Sequence, residues 1–152
     1  MNLKKVLIID GQGGGIGKAL IEKIRKDEIH GIFLIAVGTN ALATANMLKA
    51  GADAAATGES AVLWNCRHAD FILGALGMIA AGSMYGELSP AMASAISSSD
   101  AVKILIPIGK CRLEVVGVED EPLPLRIEKA TALLAQYLSC ENCQKNNQEN
   151  LR

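Results

Sequence analysis

Between Asp10 and Lys18 the chain reads DGQGGGIGK, and five of the seven residues from Gly11 to Gly17 are glycine. A run this dense lets a backbone approach something closely. Without Cβ atoms the amide N–H groups can converge on an anion, and positive φ carries no steric penalty. The chemistry implied is the holding of a phosphate, as in a nucleotide or an NAD(P)-like dinucleotide. The candidate cofactor-binding residues are Gly11, Gln12, Gly13, Gly14, Gly15, Ile16 and Gly17, with Lys18 able to approach the same phosphate. Thr39 and Asn40 could bond a ribose or a 2′-phosphate, although Asn40 also fits a helix N-cap. Thr57 and Gly58 could touch a ligand, or simply form a turn and a cap. Glu87 is the one acid between Leu76 and Leu88. By position it is the best general-base candidate, with Tyr85 beside it, while a surface glutamate ahead of Ser89 is the plainer reading. Cys140 and Cys143 form a C-x-x-C, but the chain has no second such pair and only two histidines, His30 and His68. No metal is expected.

Three phosphate-loop patterns can be tried on the glycine run. G-x-G-x-x-G fails, because Ile16 stands where its last glycine belongs. G-x-x-x-x-G-K-[ST] fails at Gln12 and at Ala19. G-x-x-x-G-I-G matches fully at Gly11, Gly15, Ile16 and Gly17. That pattern resembles the cofactor loop of short-chain dehydrogenases/reductases, which implies amides presented to a dinucleotide pyrophosphate. The catalytic Tyr-x-x-x-Lys of that family is missing, since Tyr85 is followed four residues on by Ser89 and Tyr137 by Glu141. The second predicted strand ends Gly38-Thr39-Asn40, with no acid for a ribose diol. Gly14 to Lys18 also resembles the deviant P-loop of MinD/ParA-type ATPases. Gly13 stands where those have lysine, and Ala19 where they have a hydroxyl residue, so the magnesium ligand is lost.

The elements that must position this loop alternate along the chain. Predicted strands are Lys4–Asp10, Ile32–Val37, Ala52–Ala56, Asp70–Leu76 and Val102–Ile108. Predicted helices are Ile16–Lys26, Asn40–Ala50, Glu59–Arg67, Ser89–Ser98 and Leu125–Leu138. Ile16, Leu20 and Ile24 recur at helical spacing. Alternation of this kind builds parallel βαβ units. The expected fold is α/β, a Rossmann-like doubly wound, mostly parallel sheet with a C-terminal helix. Cys111–Val118 reads as a sixth strand. Gly109 and Lys110 are too short for a crossover, so it is expected as an antiparallel edge strand. Residues 1–139 are expected to form a single domain, with 140–152 expected as a polar, flexible C-terminal tail.

DGQGGGIGK, GTNALATANMLKAGAD, ATGE, KILIP and VVGV together resemble a small uncharacterised bacterial family known only as a domain of unknown function. The resemblance covers roughly residues 3–135. It implies a compact Rossmann-like protein with no established activity.

The chain has 152 residues, half of them hydrophobic and 3% aromatic, with a formal charge of -1. That suits one aliphatic core, and neither a basic stripe nor aromatic stacking residues invite nucleic acid. The longest uncharged stretch, Phe71 to Gly86, is sixteen residues and broken by glycine. No membrane segment or signal peptide is expected, and the cytoplasm is the expected location. From Thr39 to Asp100 charge is sparse, which points to helices covered by a second subunit and to a homodimer. The function expected is binding of a phosphate-containing small molecule, as an oxidoreductase or as a non-catalytic sensor.

Overall fold

The computed structural model describes residues 2–108 and 112–140. The central strand, β1 (Lys4–Asp10), alternates aliphatic side chains across its pleat. Val6 and Ile8 enter one layer and Leu7 and Ile9 the other, all fully buried. β2 (Ile32–Gly38) pairs with β1 in parallel, from Lys4↔Ile32 to Asp10↔Gly38. With β3 (Ala54–Thr57), β4 (Phe71–Ala75) and β5 (Val102–Ile106) they form a five-stranded sheet of order β3-β2-β1-β4-β5. Every pair is parallel.

Parallel neighbours need crossovers, and helices supply them. α1 (Gly15–Lys26), α2 (Ala41–Lys49) and α5 (Leu123–Ser139) cover the face of Val6 and Ile8 through Leu20, Ile24, Met47 and Leu134. α3 (Glu59–Cys66) and α4 (Pro90–Ser97) cover the other through Val62, Met92 and Ile96. This is the doubly wound, Rossmann-like arrangement. The order reverses between β1 and β4, so the segments leaving those two strands flank the switch point where such sheets place ligands.

Three details depart from the sequence expectation. The alanine strand β3 runs from Ala54 to Thr57, two residues later than expected at its start, and is fixed by pairing with Ile35–Gly38. α5 begins at Leu123, because Pro124 lies in its first turn, where the missing N–H has no partner to lose. Among the described residues the antiparallel edge strand does not form: residues 112–118 carry no strand, and β5 is the last strand on that side of the sheet. Leu113, Val115, Val116 and Val118 are all exposed there, and Gly117 turns at φ +85°. β-branched residues make a strand where one face is buried, and this segment buries neither. Cys111 and Cys143 lie outside the described residues.

On the outer surface of α3, Trp64 is 64% exposed, and its ring lies 4.9 Å from that of His68, tilted by 38°. His68 Nδ1 is 2.8 Å from the Trp64 carbonyl oxygen, one turn back. Among the described residues no helix is long and apolar enough to cross a membrane.

Candidate functional site

Asp10 ends β1 and is only 5% exposed. Its Oδ1 accepts from the Gly11 N–H and its Oδ2 from the Gly17 N–H, both at 2.7 Å. One carboxylate thus closes the glycine segment into a loop and caps the start of α1 from inside. Burial pushes its pKa up. The bonds from Gly17, Gly11 and Ile16 pull it down, and the charge of Glu87 adds to the rise.

α2 holds the loop from the other side. Asn40 Nδ2 donates to the Gln12 carbonyl and Asn46 Nδ2 to the Gly13 carbonyl, both at 2.8 Å. A trans peptide points its N–H opposite its C=O, so the Gly13 N–H is turned away from the α2 asparagine that holds Gln12. Asn40 also caps α2, accepting from the Ala43 N–H at 2.9 Å.

The five glycines divide by what a side chain would meet. A Cβ on Gly11 would strike Met84 and Thr39, and one on Gly17 would strike Met47. Gly14 has φ +70°, and its Cβ would lie 2.9 Å from the Ala43 backbone. These three are demanded by the fold. Gly13 and Gly15 are different: a Cβ on either meets nothing within 4 Å, and neither has positive φ. No bond within the described chain satisfies their N–H groups, whereas Gly14 N–H donates to Gly11 O.

The segment between β4 and α4 closes over this loop. Residues 82–88 fold on themselves, with Gly82 N–H bonding Leu88 O and Leu88 N–H bonding Ser83 O. Glu87 reaches out of it: Oε2 accepts from the Gln12 N–H at 2.8 Å, and Oε1 from Asn40 Nδ2 at 2.7 Å. Met84 lies against Gly11, beside Thr39. The Thr39 Oγ1 is buried and has no hydrogen-bond partner. Tyr85 is fully exposed, at φ +55°.

The structure therefore brings the glycine loop, Thr39, Asn40 and Glu87 together. Thr57 and Gly58 bond to neighbouring elements: Thr57 Oγ1 is 2.7 Å from Thr44 Oγ1, and the Gly58 N–H continues the β2–β3 ladder to Gly38 O. Lys18 lies on the exposed side of α1, its ammonium 3.9 Å from Glu22 one turn on. Sequence reasoning missed Asp10 as the loop's internal cap, and also Asn46 and Met84. An acid directly after a buried apolar run and before the glycines was the available signal for Asp10. Asn46 and Met84 had none.

Two cavities lie away from this loop. One of about 510 Å³ lies between α3 and α4, lined by Cys66, Arg67, Ser94 and Ser98. Another, of about 420 Å³, lies between β5 and α5. Burial lifts the Cys66 thiol to about 11, which keeps it protonated and unreactive. Among the described residues no three His, Cys, Asp or Glu side chains cluster to hold a metal.

A family model described as a domain of unknown function, DUF3842, matches residues 5–139. The chain belongs to the DUF3842 family. The match takes in every strand and helix of the sheet's doubly wound core, the glycine loop included. No curated protein matches the chain. A solved structure described as the crystal structure of AibC is 18% identical over 88% of this chain, with a TM-score of 0.47. This chain spans 39% of the AibC chain.

Proposed function

We propose that the protein binds a phosphorylated small molecule, a nucleotide or dinucleotide, on the outer face of the Gly11–Gly17 loop. One observation carries the reading: Gly13 and Gly15 are glycines that nothing inside the fold requires. Their Cα atoms open onto space and their N–H groups are unsatisfied within the described chain, the arrangement a close-lying anion needs. The buried, unpartnered Thr39 hydroxyl adds a polar group at the same strand ends.

The protein acts as a binding or sensing module in this reading. Tyr85 has no lysine four residues on, and its side chain points into solvent. Glu87 is engaged by Gln12 and Asn40 rather than held free as a base. An oxidoreductase role would need its proton donor from elsewhere. ATP hydrolysis is disfavoured by Ala19 at the magnesium-ligand position and by Lys18, which pairs with Glu22 along the helix.

Calorimetric titration with pyrophosphate, NAD, NADP, ATP, GTP and phosphosugars tests the reading. A Cβ at Gly13 or Gly15 meets no protein atom within 4 Å, so Gly13→Ala and Gly15→Ala should keep the fold while the added methyl obstructs the ligand. Binding by the parent chain that both variants lose is the expected result. Unchanged affinity in both would remove the phosphate from this loop.

A further inference from the structure

We infer that Glu87 is an internal latch, a carboxylate seated in the anion cradle that a ligand phosphate must displace, so that binding releases the 80–88 segment. The inference rests on the phosphate reading of the glycine loop and names the regulation of that same site.

A carboxylate needs donors, and Glu87 takes two that belong to the candidate site. One is the backbone N–H of Gln12, within the glycine loop. The other is Asn40 Nδ2, at the end of β2. These groups converge from separate elements on one pair of oxygens, in the spacing a phosphate also offers. The N–H groups of Gly13 and Gly15 remain unsatisfied on the outer side of the same loop, so a diphosphate that takes the Gln12 N–H from Glu87 can extend to donors that Glu87 does not use.

The tip of the segment carrying the latch can lift while its end stays anchored, since Leu88 is fully buried in the core. Its own hydrogen bonds run within itself, from Gly82 to Leu88, and hold its shape without the glycine loop. Gly82, Met84, Tyr85 and Gly86 all have positive φ, and Met84 and Tyr85 lack glycine's freedom there. Independent of that geometry is Thr39. Its hydroxyl oxygen is buried without a partner, and it and the Met84 thioether both lie where a Cβ on Gly11 would fall. A buried hydroxyl left unsatisfied is costly. Withdrawal of Met84 with the segment opens Thr39 to the ligand or to water.

Two substitutions separate the latch from simple charge repulsion. Glu87→Ala removes both the charge and the contact. Glu87→Asp keeps the charge but falls one methylene short of Gln12 and Asn40. Pyrophosphate is titrated into the full chain and both variants by calorimetry, and amide hydrogen exchange is followed over residues 80–88. The latch predicts that both variants bind pyrophosphate about tenfold more tightly, by removing a closed population that competes with ligand. It predicts faster exchange at 80–88 in both variants without ligand, and in the parent chain on adding pyrophosphate. A gain in Glu87→Ala alone would overturn the latch in favour of repulsion. Equal affinity in all three would overturn it while leaving the phosphate reading intact. Slower exchange at 80–88 on binding would overturn it too, since the segment would then be closing. No binding in any form would remove the phosphate reading, and the latch with it.

Discussion

At the scale of single residues, Asp10 does the most with the least exposure. Its two oxygens satisfy the first amide of the loop and an amide in the first turn of α1. Asp10→Asn offers an amide hydrogen to one of those donors, so stability should fall by about 1–3 kcal/mol in urea unfolding at neutral pH. The pH dependence has a definite sign. Burial raises the folded pKa above 3.8, so the folded chain holds this proton more tightly than the unfolded one. The parent chain's advantage over Asp10→Asn should be greatest below 3.8 and shrink as pH rises through the raised value. The glycines allow a paired comparison. Gly14→Ala places a Cβ against Ala43 at positive φ, and should cost about 1–2 kcal/mol or more. Gly13→Ala should stay within about 0.5 kcal/mol of the parent in the same unfolding assay. Equal losses at the two positions would show that the division among the glycines is wrong.

At the scale of elements, α2 is the organiser of the site, because its cap residue serves three partners. Asn40 accepts from Ala43 and donates to both Gln12 and Glu87. Asn40→Ala should therefore lose about 1–2 kcal/mol, the upper range for a cap, by thermal or urea unfolding. A loss below about 1 kcal/mol, the low range for an ordinary N-cap, would mean the loop contacts add nothing. Asn40 as a cap was legible from sequence, since a short polar residue stood before a helical run. β1, α1 and β2 were legible for a similar reason: the apolar periodicity is strong and local. The meeting of Asn40 with Glu87 was not, because 47 residues separate them and only the strand order brings them together. Cys111–Val118 misled in the opposite way. Its valines favour a strand, but pairing depends on a buried face, and burial is a property of the whole fold.

At the scale of the whole molecule, the charge-poor middle of the chain leaves apolar side chains outside. Leu42 and Leu48 on α2 are 62% and 48% exposed, and Trp64 on α3 is 64% exposed. Both edges of the sheet, β3 and β5, lack a further strand among the described residues. The chain is accordingly expected to associate as a homodimer, with light scattering at micromolar concentration reporting twice the chain mass. A monomer mass would mean that these side chains are simply solvated. Trp64 has a further consequence, for spectroscopy. The chain's single indole sits outside the core, beside the His68 imidazole. Its emission should already be red-shifted in the native monomer and change little on unfolding. Assembly, by contrast, should move it toward the blue, if the interface covers α3. The built-in fluorophore is thus a gauge of what touches the outside of this protein, and a poor witness to its melting.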